Sequence, residues 1–223
     1  TSTRPRPIRL RRPPTIIAID EPFVPQARDL GEIDRAWSGL CARNPAFFDG
    51  RLLHVIGVHR NGSGGATVHV AECAYRHYAV IGQGIETGVR PLGVKAFTTR
   101  RGAYLMGRRS RRVDGYPGSW EFAPGGGLEP GVAPETMIER ELGEETGLRP
   151  SSPPIALALL FDPVMRTWEV VHRVHVADDA ATVASDEYDE LRWMRREEVP
   201  GSFAPGELSP IARTMLSLLP ERS

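Results

Sequence analysis

Lysine is nearly missing from this chain. Lys95 is the single one, and arginine supplies the rest of the 28 basic residues. An equal number of acids leaves a formal net charge of zero, which removes a bulk electrostatic grip on nucleic acid or on an anionic membrane. Cysteine is almost as scarce. Cys41 and Cys73 cannot frame a chain of 223 residues with disulfides, and neither has a neighbour at metal-ligand spacing. No apolar run reaches membrane-spanning length and no apolar signal-peptide core follows Thr1, so a cytoplasmic protein is expected. What remains is an ordinary globular balance, 40% hydrophobic and 25% charged, enough for one sizeable domain with an extension or for two small ones.

Residues 1–14 are rich in Arg and Pro and poor in apolar side chains, which predicts an extended or disordered tail. A short strand is expected over Thr15–Asp20. Leu30, Ile33, Trp37, Leu40 and Cys41 then share one face of a helix over Asp29–Arg43, which Asn44-Pro45 stops. Leu52–Arg60 and Ala66–Val80 read as two strands around a glycine-rich hairpin loop. Residues 15–90 therefore form a helix-and-hairpin extension, too small for a core of its own, that docks on residues 91–223. This extension is a candidate dimer interface, substrate wall or both.

Further strands are expected at Gly93–Thr99, Gly102–Gly107, Ser119–Phe122, Ile155–Phe161, Trp168–Val176 and Glu190–Arg195, with a closing helix over Pro205–Leu219. Strands in mixed order flanked by helices predict an α+β fold, an α/β/α sandwich around a mixed sheet.

One stretch stands apart: Gly125-Gly126-Gly127, a Pro-Gly turn, then a helix opened by Pro134 and closed by Gly147. Glu141, Glu144 and Glu145 fall on one face of that helix. Three carboxylates so close repel one another, and a divalent cation with a taste for oxygen, such as Mg²⁺, would relieve them. The alternative is a merely exposed acidic face.

Gly126, five spacers, Val132, seven spacers, then Arg140-Glu141-Leu142-Gly143-Glu144-Glu145-Thr146-Gly147-Leu148 resembles the signature box of the Nudix hydrolases. One position departs: the box glutamate is Val132 here. The resemblance implies the α/β/α sandwich again, and hydrolysis of a phosphoric anhydride with Mg²⁺, or with Mn²⁺ in its place. It implies Glu141 and Glu145 as metal ligands, Glu144 as a third ligand or catalytic carboxylate, and the Gly125 carbonyl as a further ligand. In the family the missing glutamate pairs with the box arginine, so Arg140 must turn to Glu129, Glu135 or Glu144.

Outside the box, Glu187 in the acidic stretch Ser185–Glu190 is the candidate general base, against the alternative of a plain surface loop. Arg108 and Arg109 are candidates to grip a diphosphate, and Tyr116, Trp120 and Trp193 to stack on a base or sugar, if they are not core or surface residues.

A looser resemblance runs through Asn44–Gly50, Tyr75–Tyr78, Pro91–Val94, Gly107–Ser110 and Tyr116–Gly118, and is similar to the UDP-glucose pyrophosphatase branch of that superfamily. It implies UDP-glucose or UDP-galactose as the small-molecule substrate, with no nucleic acid or membrane partner. ADP-ribose, an ADP-sugar or a dinucleotide is one alternative. A nucleotide-binding module with weakened turnover is the other.

Overall fold

Eleven strands, most of them rich in branched and aromatic residues, form in the computed structural model, which describes residues 6–25, 30–45 and 47–219. The first half holds β1 (Ile8–Arg9), β2 (Thr15–Ile19), α1 (Leu30–Arg43), β3 (Arg51–Arg60), β4 (Ala66–Ala74) and α2 (Tyr75–Ala79). Then come β5 (Leu92–Arg100), β6 (Ala103–Arg109), β7 (Trp120–Phe122), β8 (Gly125–Gly127) and α3 (Pro134–Thr146). The chain closes with β9 (Ile155–Asp162), β10 (Thr167–His175), β11 (Tyr188–Arg195) and α4 (Pro210–Leu216).

The larger sheet has the order β1-β9-β10-β5-β6-β11, with β7 on β6 and β8 on β5; a smaller sheet has the order β2-β4-β3. β10 and β5 run parallel while the other pairs of the larger sheet are antiparallel, so it is mixed. Alternation along its strands sends apolar side chains to both faces. Leu92, Val94 and Ala96 meet Met137, Ile138 and Leu142 of α3 on one face, and Phe97 and Val171 meet Ile211, Ala212 and Met215 of α4 on the other. The result is the expected α/β/α sandwich. Leu53, Val55, Val68 and Val70 of the smaller sheet join the same cluster as α3. Among the described residues no helix is long and apolar enough to cross a membrane.

Three local expectations change. The strand expected to run on to Val80 stops at Ala74, the last residue with a partner on β3, at Arg51. Asp49 then accepts the Arg76 N–H at 2.9 Å and the chain turns into α2. In the tail, residues 1–5 lie outside those described, but Ile8 and Arg9 pair with Leu159 and Ala158, and Leu10 is buried. The Arg9 guanidinium donates to the carbonyls of Ser217 and Leu218, so this arginine is a clasp across the closing helix. That helix is shorter than expected, because Ser209 caps it by accepting from Ala212 and Pro210 takes the first helical position. Asp29, the expected start of α1, lies outside the described residues.

His172 is fully buried, and neither ring nitrogen has a well-formed hydrogen bond among the described residues, the nearest support being backbone groups of Val170 and Lys95. Burial lowers its pKa from 6.5 to about 4. Between those two values the unfolded chain takes up a proton that the folded one refuses, so this residue costs stability as pH falls through that window. Replacing it with leucine removes the cost. Urea denaturation of wild type and His172→Leu at pH 7 and pH 4.5 is expected to favour the variant by about 2 kcal/mol more at the lower pH. An unchanged difference between the two pH values would refute this.

Candidate active site

Local sequence sets α3 in place before any chemistry is considered. Pro134 occupies its first turn, and Gly147 closes it at φ 69°, where its N–H reaches the Gly143 carbonyl. Burial of Met137, Ile138 and Leu142 fixes the rotation of the helix, which turns Glu141 and Glu145 toward β8. The approach is close enough to demand glycine. The Gly125 N–H donates to Glu145 Oε2 at 3.3 Å, and a Cβ at Gly126 would collide with the Glu141 carboxylate.

The cleft itself comes from a splay in the sheet. β5 pairs with β6 only at Thr99 and Arg100, and with β8 at Gly93, Val94 and Lys95. Residues 120–127 run between the parted strands, with β7 on β6 and β8 on β5, and a cavity of about 600 Å³ opens beside the glycine strand. Gly125, Gly126 and Gly127 form part of its wall, and Lys95, Arg109, Glu121, Glu169 and Glu187 reach into it. These charges are linked. Lys95 Nζ lies 2.8 Å from Glu121, and Arg109 lies 3.7 Å from Glu121 and 3.0 Å from Glu187. The Tyr188 hydroxyl donates to Glu121 at 3.2 Å, and Thr167 donates to Glu169 at 2.6 Å.

Carboxylates outnumber cations here, and their pKa values respond. Burial, with Glu144 close by, pushes Glu141 up to about 7. Burial, then the neighbouring Glu141, pushes Glu145 up to about 8, and burial alone accounts for most of the rise of Glu169 to about 7. Two adjacent carboxylates backed by a glycine strand are a donor set that fits a hard divalent cation. Among the described residues no three Asp, Glu, His or Cys side chains converge on one metal position. A cation held here would draw further ligands from backbone oxygen and water, which would suit Mg²⁺, an ion that usually keeps several waters.

The structure brings some of the expected residues together and sets others apart. Glu141, Glu145 and Gly125 meet; Arg109, Glu187 and Tyr116 line the cavity. Tyr116 spends its hydroxyl on Asp162, which accepts it at 2.7 Å, and burial, then that carboxylate, raises its pKa. Glu144 is exposed and stands 4.0 Å from Arg140 on the helix flank. Arg108, one residue from Arg109 on a strand, points to the other face, 3.7 Å from Glu190 and beside the Trp120 ring. Trp120 and Trp193 pack in the two cores. Val132 packs on the core beneath α3, and Arg140 takes Glu129, at 2.6 Å, as its carboxylate.

Lys95, Glu121 and Glu169 are absent from the sequence-based expectations. Signals existed for the first two: the lone lysine of an arginine-rich chain, and a glutamate between Trp120 and Phe122 on a strand too apolar to be solvated. For Glu169 nothing in the sequence distinguishes it.

Glu121 is 2% exposed and holds Lys95 and Arg109 at once. Removing it as Glu121→Ala leaves two cations in a buried site without their shared partner. The expected loss is about 3 kcal/mol in urea denaturation, and a loss below about 1 kcal/mol would show that the network contributes little.

A model of the NUDIX domain matches residues 89–219. The nucleoside triphosphatase NudI of Enterobacter sp. (strain 638) is 27% identical over 109 residues, covering 44% of this chain and 77% of that protein. NudI of Escherichia fergusonii is 27% identical over 128 residues, covering 52% and 87%. Among solved structures, a bifunctional NMN adenylyltransferase/ADP ribose pyrophosphatase from Francisella tularensis, complexed with AMP and a Mn ion, superposes with a TM-score of 0.51. It is 17% identical over 63% of this chain and 44% of its own, a likeness of fold alone. With the domain match spanning more than half of its length around the glycine strand and the acidic helix, this chain belongs to the Nudix family of pyrophosphatases.

Proposed function

We propose that this protein hydrolyses the diphosphate link of a nucleoside diphosphate derivative, using Mg²⁺ or Mn²⁺, and that its substrate is a nucleotide sugar such as UDP-glucose or UDP-galactose. The observation that carries the reading is the meeting of Glu141 and Glu145 with the glycine strand, at the wall of a cavity that Lys95 and Arg109 enter. A divalent cation held by Glu141 and Glu145, with backbone oxygen of the glycine strand, would neutralise charge that builds on the phosphoryl oxygens.

The remaining work falls to the chain's own groups. Lys95 and the Arg109 guanidinium bind the non-bridging oxygens, the latter in two-point fashion. When phosphate takes Arg109, Glu187 loses its partner at 3.0 Å and becomes free to orient a water and accept its proton. Water adds to one phosphorus, the bridging oxygen leaves with the other, and a nucleoside monophosphate and a sugar 1-phosphate result.

The loose likeness to UDP-glucose pyrophosphatases and a cavity that extends past the phosphate end to residues 44–78 support a group on each side of the diphosphate. A second reading, a nucleoside triphosphate, is favoured by the NudI relatives, which carry that activity in their name. An ADP-ribose substrate is the third. Chromatographic detection of nucleoside monophosphate from UDP-sugars, ADP-ribose and nucleoside triphosphates, with and without Mg²⁺, separates them. Binding without product across the panel would convert the reading to a nucleotide-binding module.

Two variants sharpen the test. Glu145→Gln is expected to lower turnover by about 100-fold or more, since it removes charge from the metal set. Because Arg140 already holds Glu129, Val132→Glu is expected to stay within about threefold of wild type while Glu129→Ala falls about tenfold. A large gain from Val132→Glu would mean that Glu129 is a poor substitute.

A further inference from the structure

Part of the cavity wall comes from residues that precede the NUDIX match, and nothing in the reaction above uses them. Phe47, Tyr75 and Tyr78 line it, with Asn44 at the same end. Phe47 and Tyr75 present rings with 27° between their planes and 6.4 Å between centroids. Trp37 of α1 packs edge-on against both, at 5.8 and 6.1 Å, and so sets their orientation from behind.

The wall is tied to the hydrolase domain across the cavity. The Tyr78 hydroxyl donates to the Met165 carbonyl at 2.8 Å, in the turn between β9 and β10, and Glu86 pairs with Arg166 next to it. Asp114, from the loop after β6, lies near the Tyr75 hydroxyl and also lines the cavity. Arg51 and Arg112 line the cavity as well, while Lys95, Arg109 and Glu187 gather around Glu121 at the other end.

A sugar asks for many hydrogen-bonding side chains around its hydroxyls. A nucleobase asks for an aromatic face and a few polar groups at its edge, which is what this end offers: the rings of Phe47 and Tyr75, with Asn44 and Asp114 beside them. We propose that the Phe47–Tyr75 wall, supplied by the chain's own amino-terminal extension, receives the nucleobase of the substrate. The inference rests on reading the cavity as the substrate site, and adds to it which end holds the base and which residues hold it.

Calorimetric titration of the full chain with Mg²⁺ present tests it, using α,β-methylene-UDP, α,β-methylene-ADP and methylenediphosphonate, which has no base. Phe47→Ala and Tyr75→Ala are expected to weaken at least one nucleotide analogue about tenfold or more and to leave methylenediphosphonate binding within about twofold. Tyr75→Phe, which keeps the ring face, is expected to bind nucleotide within about threefold of wild type. Unchanged nucleotide affinity in both alanine variants overturns the inference, as does equal weakening of all three probes or a wild type that binds neither nucleotide. Failure of the proposed reaction reads differently: wild type would bind nucleotide yet release no nucleoside monophosphate from any substrate in the panel.

Discussion

The cleft between β5 and β8 on one side and β6 on the other is short of positive charge. Lys95 and Arg109 are the half-buried cations in its wall, with the exposed Arg51 and Arg112 also lining it, against Glu121, Glu169 and Glu187 in the wall and Glu141 and Glu145 against the glycine strand beside it. Burial in a low-dielectric setting is the first cause of the raised pKa values of Glu141, Glu145 and Glu169, and neighbouring carboxylates add to it. Cationic help is what the arrangement calls for. In the reaction proposed above, a divalent cation would meet that demand on one side of the phosphates, and Lys95 and Arg109 on the other.

The strand of three glycines makes this geometry possible. It pairs with β5 along one edge and donates the Gly125 N–H to Glu145 of α3 along the other, so that the carboxylates of α3 and the wall of the cavity share one strand. Side chains at Gly125 or Gly126 would collide with Lys95 or Glu141, so the spacing between helix and strand depends on their absence. The same economy explains Val132. With Arg140 engaged by Glu129, the position serves the core instead of the charge network.

The amino-terminal extension is more than a neighbour of this machinery. Its smaller sheet contributes Leu53, Val55, Val68 and Val70 to the cluster that also holds α3, so packing of the extension and rotation of the acidic helix are coupled through one core. Clasps at both ends, Arg9 on the closing helix and Tyr78 on the β9–β10 turn, hold the layers in one arrangement.

From the sequence alone, the acidic helix and its glycine approach were legible, because 3.6-residue periodicity, Pro134, Gly147 and the spacing of Glu141 and Glu145 are local properties. So were most strands, from their branched residues. Three things were decided by tertiary structure. Where β4 ends depends on β3 running out of partners and on Asp49 reaching the Arg76 N–H, a contact across 27 residues. Which arginine enters the cleft depends on the face that β6 turns inward, so that Arg109 goes in and Arg108 goes out. And Lys95, Glu121 and Glu169 become one charged floor only when three strands distant in sequence are laid side by side, since a buried ion pair is a property of two places in the chain meeting, which no local pattern encodes.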